Sequence, residues 1–375
     1  MASENKYNFK VINFSSELPQ FVEVRSKEWV MYGEKNDFPD YLIELLNTSA
    51  MHNTCVRAKI EATIGEGISS ENPIVNSDGE LLSDLIEKVA YDKVVFGGYA
   101  LNILWSKDRE SIAEVYHLPF SKVRSGKQDE ENKVNNYFFS SNWNNTRKYK
   151  PLEYAAFSTT NNKGENANQI YYSFDYNPSA DVYPVPDYIG ALTDVSLDAS
   201  ISRFHDSNLK NGMHPSLLIN FPAGEPEERE KQRLYDDLID AYTNVENSGK
   251  VLLTFSDGPE LAPQVQTITQ QNDQYYIVVE ERLTSRILSA HRISSPLLLG
   301  IRTSGGSSLG NNAEELEVSF SHFLSTTIES ITKNLSKSLL KVFKFYKEPV
   351  DTIDFLPAKL DLIKNINDNG DTINQ

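Results

Sequence analysis

One cysteine, Cys55, stands in a chain of 375 residues. A single thiol excludes an intrachain disulfide framework and a cysteine-built zinc cage, and it fits a reducing compartment. Positive charge is scarce as well. The 36 Lys and Arg face 53 Asp and Glu, a formal net charge of −17. Proteins that coat DNA need a basic face to displace counterions from phosphates, so this balance excludes simple DNA coating. Long apolar runs are missing: nowhere do about eighteen apolar residues follow one another. The longest candidates, such as Val251 to Phe255, have the length of a strand. The first residues, Met1 to Tyr7, hold no apolar stretch of the kind a secretory signal needs. The expectation is a soluble, unexported protein without membrane contact.

Catalytic signatures are also lacking. Gly305 and Gly310 have the spacing of a phosphate-binding loop, but Asn311 and Asn312 stand where the lysine and hydroxyl must be. Gly306 to Gly310 matches Gly-x-Ser-x-Gly in letters only. A nucleophile elbow needs a buried strand before it, whereas this run lies in a Gly/Ser loop. The six histidines, His52, His117, His205, His214, His291 and His322, form no His-x-x-x-His or Glu-x-x-His pair. They read as surface or interface residues rather than ligands. No enzyme activity, catalytic residue, cofactor or metal is expected.

What is present is enough for packed cores. Hydrophobic residues make up 39% and aromatics 11%, which excludes an acidic disordered chain, and the length suits two or three compact units. Asp37 precedes Tyr41, Leu42, Leu45 and Leu46 at helical spacing and is a candidate N-cap. Further helices are expected from His52 to Ile64, ended by Gly65 and Gly67, and from Leu81 to Val95, broken by Gly97-Gly98. Tyr99 to Trp105 and Ile112 to Leu118 read as a hairpin. From Phe120 to Pro186, Tyr and Phe alternate with Asn, Ser and charge, the pattern of short half-exposed strands with wet turns. Asp187 is a candidate N-cap for the next helix.

The second half has a different style. Ile189 to Asn211 reads as a long helix of mixed polarity on all sides, which suits an element wedged between neighbours. Ser216 to Phe221, Glu225 to Asn247 and Lys250 to Phe255 read as a small β-α-β insert. Gln274 to Ile293 is a second long helix. A glycine-rich stretch comes after it, and then Ala313 opens a helix expected to run to Tyr346. The last two dozen residues fade into a polar tail.

This order of parts resembles the portal proteins of tailed bacteriophages, in the compact form found in long-tailed phages. The resemblance is carried by Ser202-Arg203-Phe204-His205-Asp206-Ser207-Asn208-Leu209-Lys210-Asn211-Gly212-Met213-His214-Pro215-Ser216. It is also carried by Arg282-Leu283 through Ala290-His291-Arg292-Ile293-Ser294-Ser295-Pro296-Leu297-Leu298-Leu299-Gly300, with Asn312-Ala313-Glu314-Glu315 after the loop. Trp29 to Leu42 and Phe96 to Trp105 fit the same family. The resemblance implies an α+β portal fold: an α/β wing at 1–188, stem helices at 189–211 and 273–296, and a small β-α-β clip at 212–272. It further implies a tunnel loop at 297–312, a long wing helix at 313–346 and a reduced helical crown at 347–375.

The family also implies a function. Such proteins form a homo-dodecameric ring at one capsid vertex of the virion, assembled in the host cytoplasm. The ring is the conduit for DNA packaging and ejection. Its expected partners are the large terminase or packaging ATPase, a head-completion adaptor, and the major capsid or scaffold protein. Double-stranded DNA passes through without tight binding. The residues implied for the channel are Arg302, Thr303, Ser304, Gly305, Gly306, Ser307 and Ser308. For motor or adaptor docking they are Glu225, Glu227, Glu228, Glu230, Asp236 and Asp237, and for the stem Asp198, Arg203, His205, Lys210, Arg282 and Arg286. The competing readings are a carbohydrate-active enzyme, suggested by the aromatic and Asn-rich region from Tyr137 to Tyr176, and a different ring or adaptor protein of the virion.

Overall fold

The computed structural model describes residues 21–159, 167–178, 180–211, 217–221, 226–233, 251–255, 273–301 and 313–360. Two compact units are present: Met1–Val195 together with Thr284–Gln375, and Ser196–Leu283.

The first unit opens with an antiparallel ribbon, β1 (Phe21–Glu23) and β2 (Val30–Tyr32). Helices α1 (Phe38–Thr48), α2 (Ala50–Ile64) and α3 (Leu82–Phe96) come next. Asp37 sits at the N-cap of α1, yet its side chain makes no capping bond; Pro39, with its preset φ, stands in the first turn instead. Ser49 begins α2 two residues earlier than expected, its hydroxyl accepting the His52 N–H. Helix α3 ends on Gly97 in the left-handed conformation, φ +84°. A Cβ there would lie 2.7 Å from the Val185 carbonyl oxygen, so only glycine lets the chain pass.

The chain turns at once into β3 (Gly98–Trp105), which hairpins with β4 (Ile112–Leu118) as expected. The aromatic middle forms β5 (Val123–Ser125), β6 (Asn136–Phe139), β7 (Leu152–Ala156) and β8 (Asn168–Phe174). These are not a separate layer. They join the hairpin in one six-stranded sheet of order β4-β3-β8-β7-β6-β5, antiparallel except between β7 and β8. Alternation along β3 sends Tyr99, Leu101, Ile103 and Trp105 into a cluster with Leu82, Leu85 and Val89 of α3. Ala100 faces the other way, into a cluster with Phe96, Phe120 and Ile170. Both faces of the strand are therefore buried, at roughly 1.5–3 kcal/mol for each large apolar side chain.

The first cluster is completed from the far end of the chain. Helix α7 (Ala313–Phe323) continues through one π-helical turn, Leu324–Ile328, into α8 (Glu329–Phe343). Leu335, Leu339, Val342 and Phe343 of α8 pack on the sheet with Tyr346, Val350 and Ile353. The helix stops three residues short of the expected Tyr346, because Tyr346 leaves it to bridge Ile112 while its hydroxyl donates to the Ile74 carbonyl. The crown expected over 347–375 is corrected on its described part: residues 347–360 contain no helix. They run back across the first unit, where Ile68 pairs with Phe355. Residues 361–375 lie outside the described residues.

The division between the two units falls within α4 (Leu192–Asn211) and α6 (Asp273–Ala290), the two expected stem helices. A short 3-10 turn, Ile189–Ala191, leads into α4. In the second unit β9 (Leu217–Phe221) pairs with β10 (Val251–Phe255) in parallel, Val251 opposite Leu217. Parallel pairing requires a crossover, which agrees with the expected β-α-β insert. The helix between them, α5, is described at 228–233.

Gly65, which ends α2 at φ +57°, sets the path of the returning segment. A Cβ on it would lie 2.1 Å from the Leu356 carbonyl oxygen and 2.9 Å from the Ala358 nitrogen. The Glu66 N–H donates to that same carbonyl at 3.1 Å, and Leu356 N–H to Gly67 O at 2.8 Å. Gly65→Ala is expected to lower the unfolding free energy by more than about 2 kcal/mol, measured by urea denaturation, since backbone strain adds to steric overlap.

Candidate functional site

The residues expected for a stem divide into two groups. Arg286 on α6 donates from Nη1 to Asp194 Oδ1 on the first turn of α4, at 2.8 Å. With the arginine more than half exposed, this pair contributes on the order of 0–1 kcal/mol. Arg282 lies exposed one turn before it, Asp198 is half-buried and Arg203 exposed. The side chains of His205 and Lys210, both on α4, lie outside the described residues. What fixes the roots of the two helices is apolar packing: Val195 of α4 and Ile287, Leu288 and Ile293 of the α6 end cluster with Leu45, Cys55, Ala62, Phe323 and Ile328.

The residues expected for a tunnel loop, Arg302, Thr303, Ser304, Gly305, Gly306, Ser307 and Ser308, lie outside the described residues, but the chain leading to them is defined. Ser295 caps a 3-10 turn, Pro296–Leu299, that ends on a left-handed Gly300. Among the docking candidates, Glu225, Asp236 and Asp237 lie outside the described residues. Glu227, Glu228 and Glu230 are exposed at the start of α5, where the Glu227 carbonyl accepts the first intrahelical N–H groups, from Glu230 at 2.8 Å and Lys231 at 3.0 Å. Negative charge there is favoured by the helix dipole.

Beneath the helix roots lies a buried polar group that no sequence motif announces. Lys59 of α2 is fully buried and donates from Nζ to Asp187 Oδ2 at 2.6 Å. Asp187 is therefore a counter-ion and not the N-cap expected of it; Tyr188 occupies that position. His52 Nδ1 and His291 Nε2 lie 3.0 Å apart, both rings fully buried. This corrects their expected surface position, as does His117, which is largely buried and bound to Asp92 at 2.7 Å. Tyr188 packs edge-on against His52 and stacks on His291, and its hydroxyl donates to the Val95 carbonyl at 2.6 Å. The only hint in sequence is spacing: His52, Cys55, Lys59 and Thr63 fall on one stripe of α2 with Val56 and Ile60.

The electrostatics arise from burial. Desolvation, helped by the nearby Lys59 ammonium, lowers the His52 pKa to about 4 against the pull of Asp187. His291 is held well below its ordinary value by the same burial, by Lys59 and by His52. Both rings are neutral at pH 7. Whichever donates to the other, one N–H and one lone pair, on His52 Nε2 and His291 Nδ1, find no partner among the described residues. Burial also pushes the Cys55 thiol up to about 12, the opposite of a reactive cysteine.

Among the described residues no group of three or more His, Cys, Asp and Glu is placed to hold a metal. A broad concavity on the sheet edge, lined by Arg25, Lys27, Lys127, Asp129, Glu153 and Tyr154, mixes charges of both signs and brings together no nucleophile and base. Within the aromatic middle Tyr137 stacks on Tyr172 at 4.8 Å and Phe120 on Tyr172 at 5.0 Å, while Tyr176 is exposed.

The histidine pair generates a pH prediction. The unfolded chain protonates these rings near pH 6.5, whereas the folded state resists until about pH 4 for His52. Their contribution is thus fully present above pH 6.5 and is lost as pH falls towards 4. Between pH 5 and 6 His52 is expected to add about 1 kcal/mol per pH unit to the slope of stability, and His291 acts in the same direction. Urea titrations of the wild type and His52→Gln across that window check it, the variant losing one ring's share of the slope.

Comparison with known proteins agrees with this architecture. No curated protein matches the chain. Among solved structures, the chain is similar to the neck of a native GTA particle computed with C12 symmetry, at 14% identity and TM-score 0.52, covering 84% of this chain and 83% of that one. It is similar to the neck of an empty GTA particle computed with C6 symmetry, at 14% identity and TM-score 0.51, covering 86% and 85%. A third likeness, to the virion of a native gene transfer agent particle, has 15% identity and TM-score 0.51 over 86% and 84%. At such identities the likeness concerns the fold. The family model described as phage portal protein matches residues 79–360, three quarters of the chain, from the end of the α2–α3 connection to the returning segment. The chain belongs to the phage portal protein family.

Proposed function

We propose that this protein is the subunit of a twelve-membered portal ring at one capsid vertex, the conduit through which DNA is packaged and ejected. The observation that carries this reading is the family match over residues 79–360, which takes in the sheet, both long helices, the β-α-β insert and α8. The family is structural. Mixed polarity around α4 supports assembly, since a helix with no single apolar face is satisfied when neighbours flank it.

In this reading 1–188 with 313–346 is the wing, 189–211 and 273–296 the stem, 212–272 the clip and 297–312 the tunnel loop. The returning segment 347–360 belongs to the wing. Assembly takes place in the host cytoplasm, with the packaging ATPase and later a head-completion adaptor on the clip, and capsid or scaffold protein around the wing. Arg302 is the sole charge in 297–312, so DNA contact at the loop is weak and blind to sequence.

Purified protein is expected to form closed rings of about twelve subunits with a central hole, read by native mass measurement and negative-stain imaging. A stable monomer overturns the proposal. The exposed carboxylates of α5 are the docking face for a basic surface of the motor. Glu227→Lys, Glu228→Lys and Glu230→Lys together are expected to weaken motor binding at least tenfold while rings stay intact; unchanged binding at moderate salt sinks the docking assignment.

A further inference from the structure

A protein of net charge −17 carries one ridge of the opposite sign. Lys333, Lys337 and Lys341 of α8 and Lys344, the residue that caps its end in helical conformation, recur at intervals of four, four and three, so they share one face of the helix. All four are exposed, as is Lys347 just beyond, while the opposite face holds the buried Leu335, Leu339, Val342 and Phe343. From Lys333 to Lys344 the ridge runs about 16 Å. Along the chain two carboxylates flank it: Glu329, paired with Lys333 at 2.6 Å, and the exposed Glu348 after Lys347. Lys337, Lys341 and Lys344 make no ion pair among the described residues.

The helix dipole favours cations in a last turn, which accounts for Lys341 and Lys344 but not for Lys333 and Lys337. Nor is the ridge built like a protein interface. Lysine is depleted from such interfaces, which use aromatic, Met and Arg anchors, and the apolar side chains among these lysines are the half-buried Leu340 and, past Lys344, the exposed Phe345. The aromatics at its end are the exposed Phe345 and Tyr346, which is buried beneath Lys347, so no row of rings is present to stack successive unpaired bases. What remains is a row of flexible, strongly hydrated point charges, suited to phosphate oxygens and unable to read bases.

We propose that the exposed face of α8 is a contact surface for the phosphate backbone of double-stranded DNA, separate from the tunnel loop. It rests on the portal reading only for the choice of DNA as the polyanion. The contact is weak, because the acidic remainder of the chain repels the same duplex, and it vanishes with salt.

The test is fluorescence anisotropy of the full-length protein with labelled duplexes of about 30 base pairs and two unrelated sequences, titrated from low to moderate salt. Lys337→Gln, Lys341→Gln and Lys344→Gln together are expected to weaken binding at least tenfold at low salt, equally for both sequences. The slope of log K against log salt should shrink by about 2.7, at 0.9 per lost phosphate contact. The matching triple Lys→Arg variant should bind like the wild type. Lys88→Gln with Lys133→Gln, exposed lysines on other elements, should change neither quantity. Unchanged affinity and slope in the triple glutamine variant overturn the proposal. So does a triple variant whose rings fail to close while its DNA affinity is kept, which makes the ridge a contact between subunits. Rings that form but bind no DNA at low salt overturn the ridge and leave the portal reading standing. A monomer whose affinity still depends on these lysines does the reverse.

Discussion

The Lys59–Asp187 pair constrains the rest of the first unit. An ammonium without solvent access must keep its counter-charge within hydrogen-bond reach, so the chain just before α4 is tied to the middle of α2. Such a pair adds little net stability compared with apolar packing, but it permits one geometry. Next to it, His52 and His291 tie the end of α6 to the start of α2, and Tyr188 fills the space between. Around this polar group the cluster of Val195, Ile287, Leu288 and Ile293 closes with residues of α1, α2 and the π-helical turn. The roots of both long helices are thus specified inside one unit, by charge pairing and by burial together.

The helical run from Ala313 to Phe343 brings a second kind of order. Its first turn carries Glu314 and Glu315 and its second half carries the lysine ridge, so charge follows the dipole along its length. The π-helical turn lies between these halves, with Thr327 and Ile328 buried and the Thr326 hydroxyl donating back to the His322 carbonyl at 2.7 Å. A π turn holds an extra residue, which lets Phe323 face the helix roots while Leu335 and Leu339 face the sheet.

Much of this fold was legible in local pattern. Leu82, Leu85, Ile86 and Val89 at helical spacing before Gly97-Gly98 mark α3 and its end, and alternation marks the β3–β4 hairpin. The place of β8 was not legible, because strand pairing across some seventy residues leaves no trace in periodicity; the aromatic middle reads the same whether its strands join β3 or not. Tyr346, Val350 and Ile353 were equally opaque. They are single apolar anchors among Lys347, Glu348 and Asp351, and only contact with α8 and the sheet makes them core. At the candidate site, the exposed carboxylates of α5 were readable as a charged helix start. Lys59 and His52 were not, since a polar residue on a mixed helix is normally taken as solvated. Family resemblance supplied what periodicity could not, the order in which the parts belong together.

The first unit is built from two stretches of chain with the second unit between them. Leu335, Leu339, Val342, Phe343, Tyr346, Val350 and Ile353 cap a cluster whose other buried members precede residue 172. During synthesis that apolar surface of the sheet stays uncovered while Ser196–Leu283 and the long helix are made. At ~5–20 residues per second the interval from Val195 to Ile353 lasts roughly 8–30 s. For that time the nascent sheet presents Leu101, Ile103 and Val115 to whatever else is near, so on the ribosome the inserted unit can complete before the body that holds it.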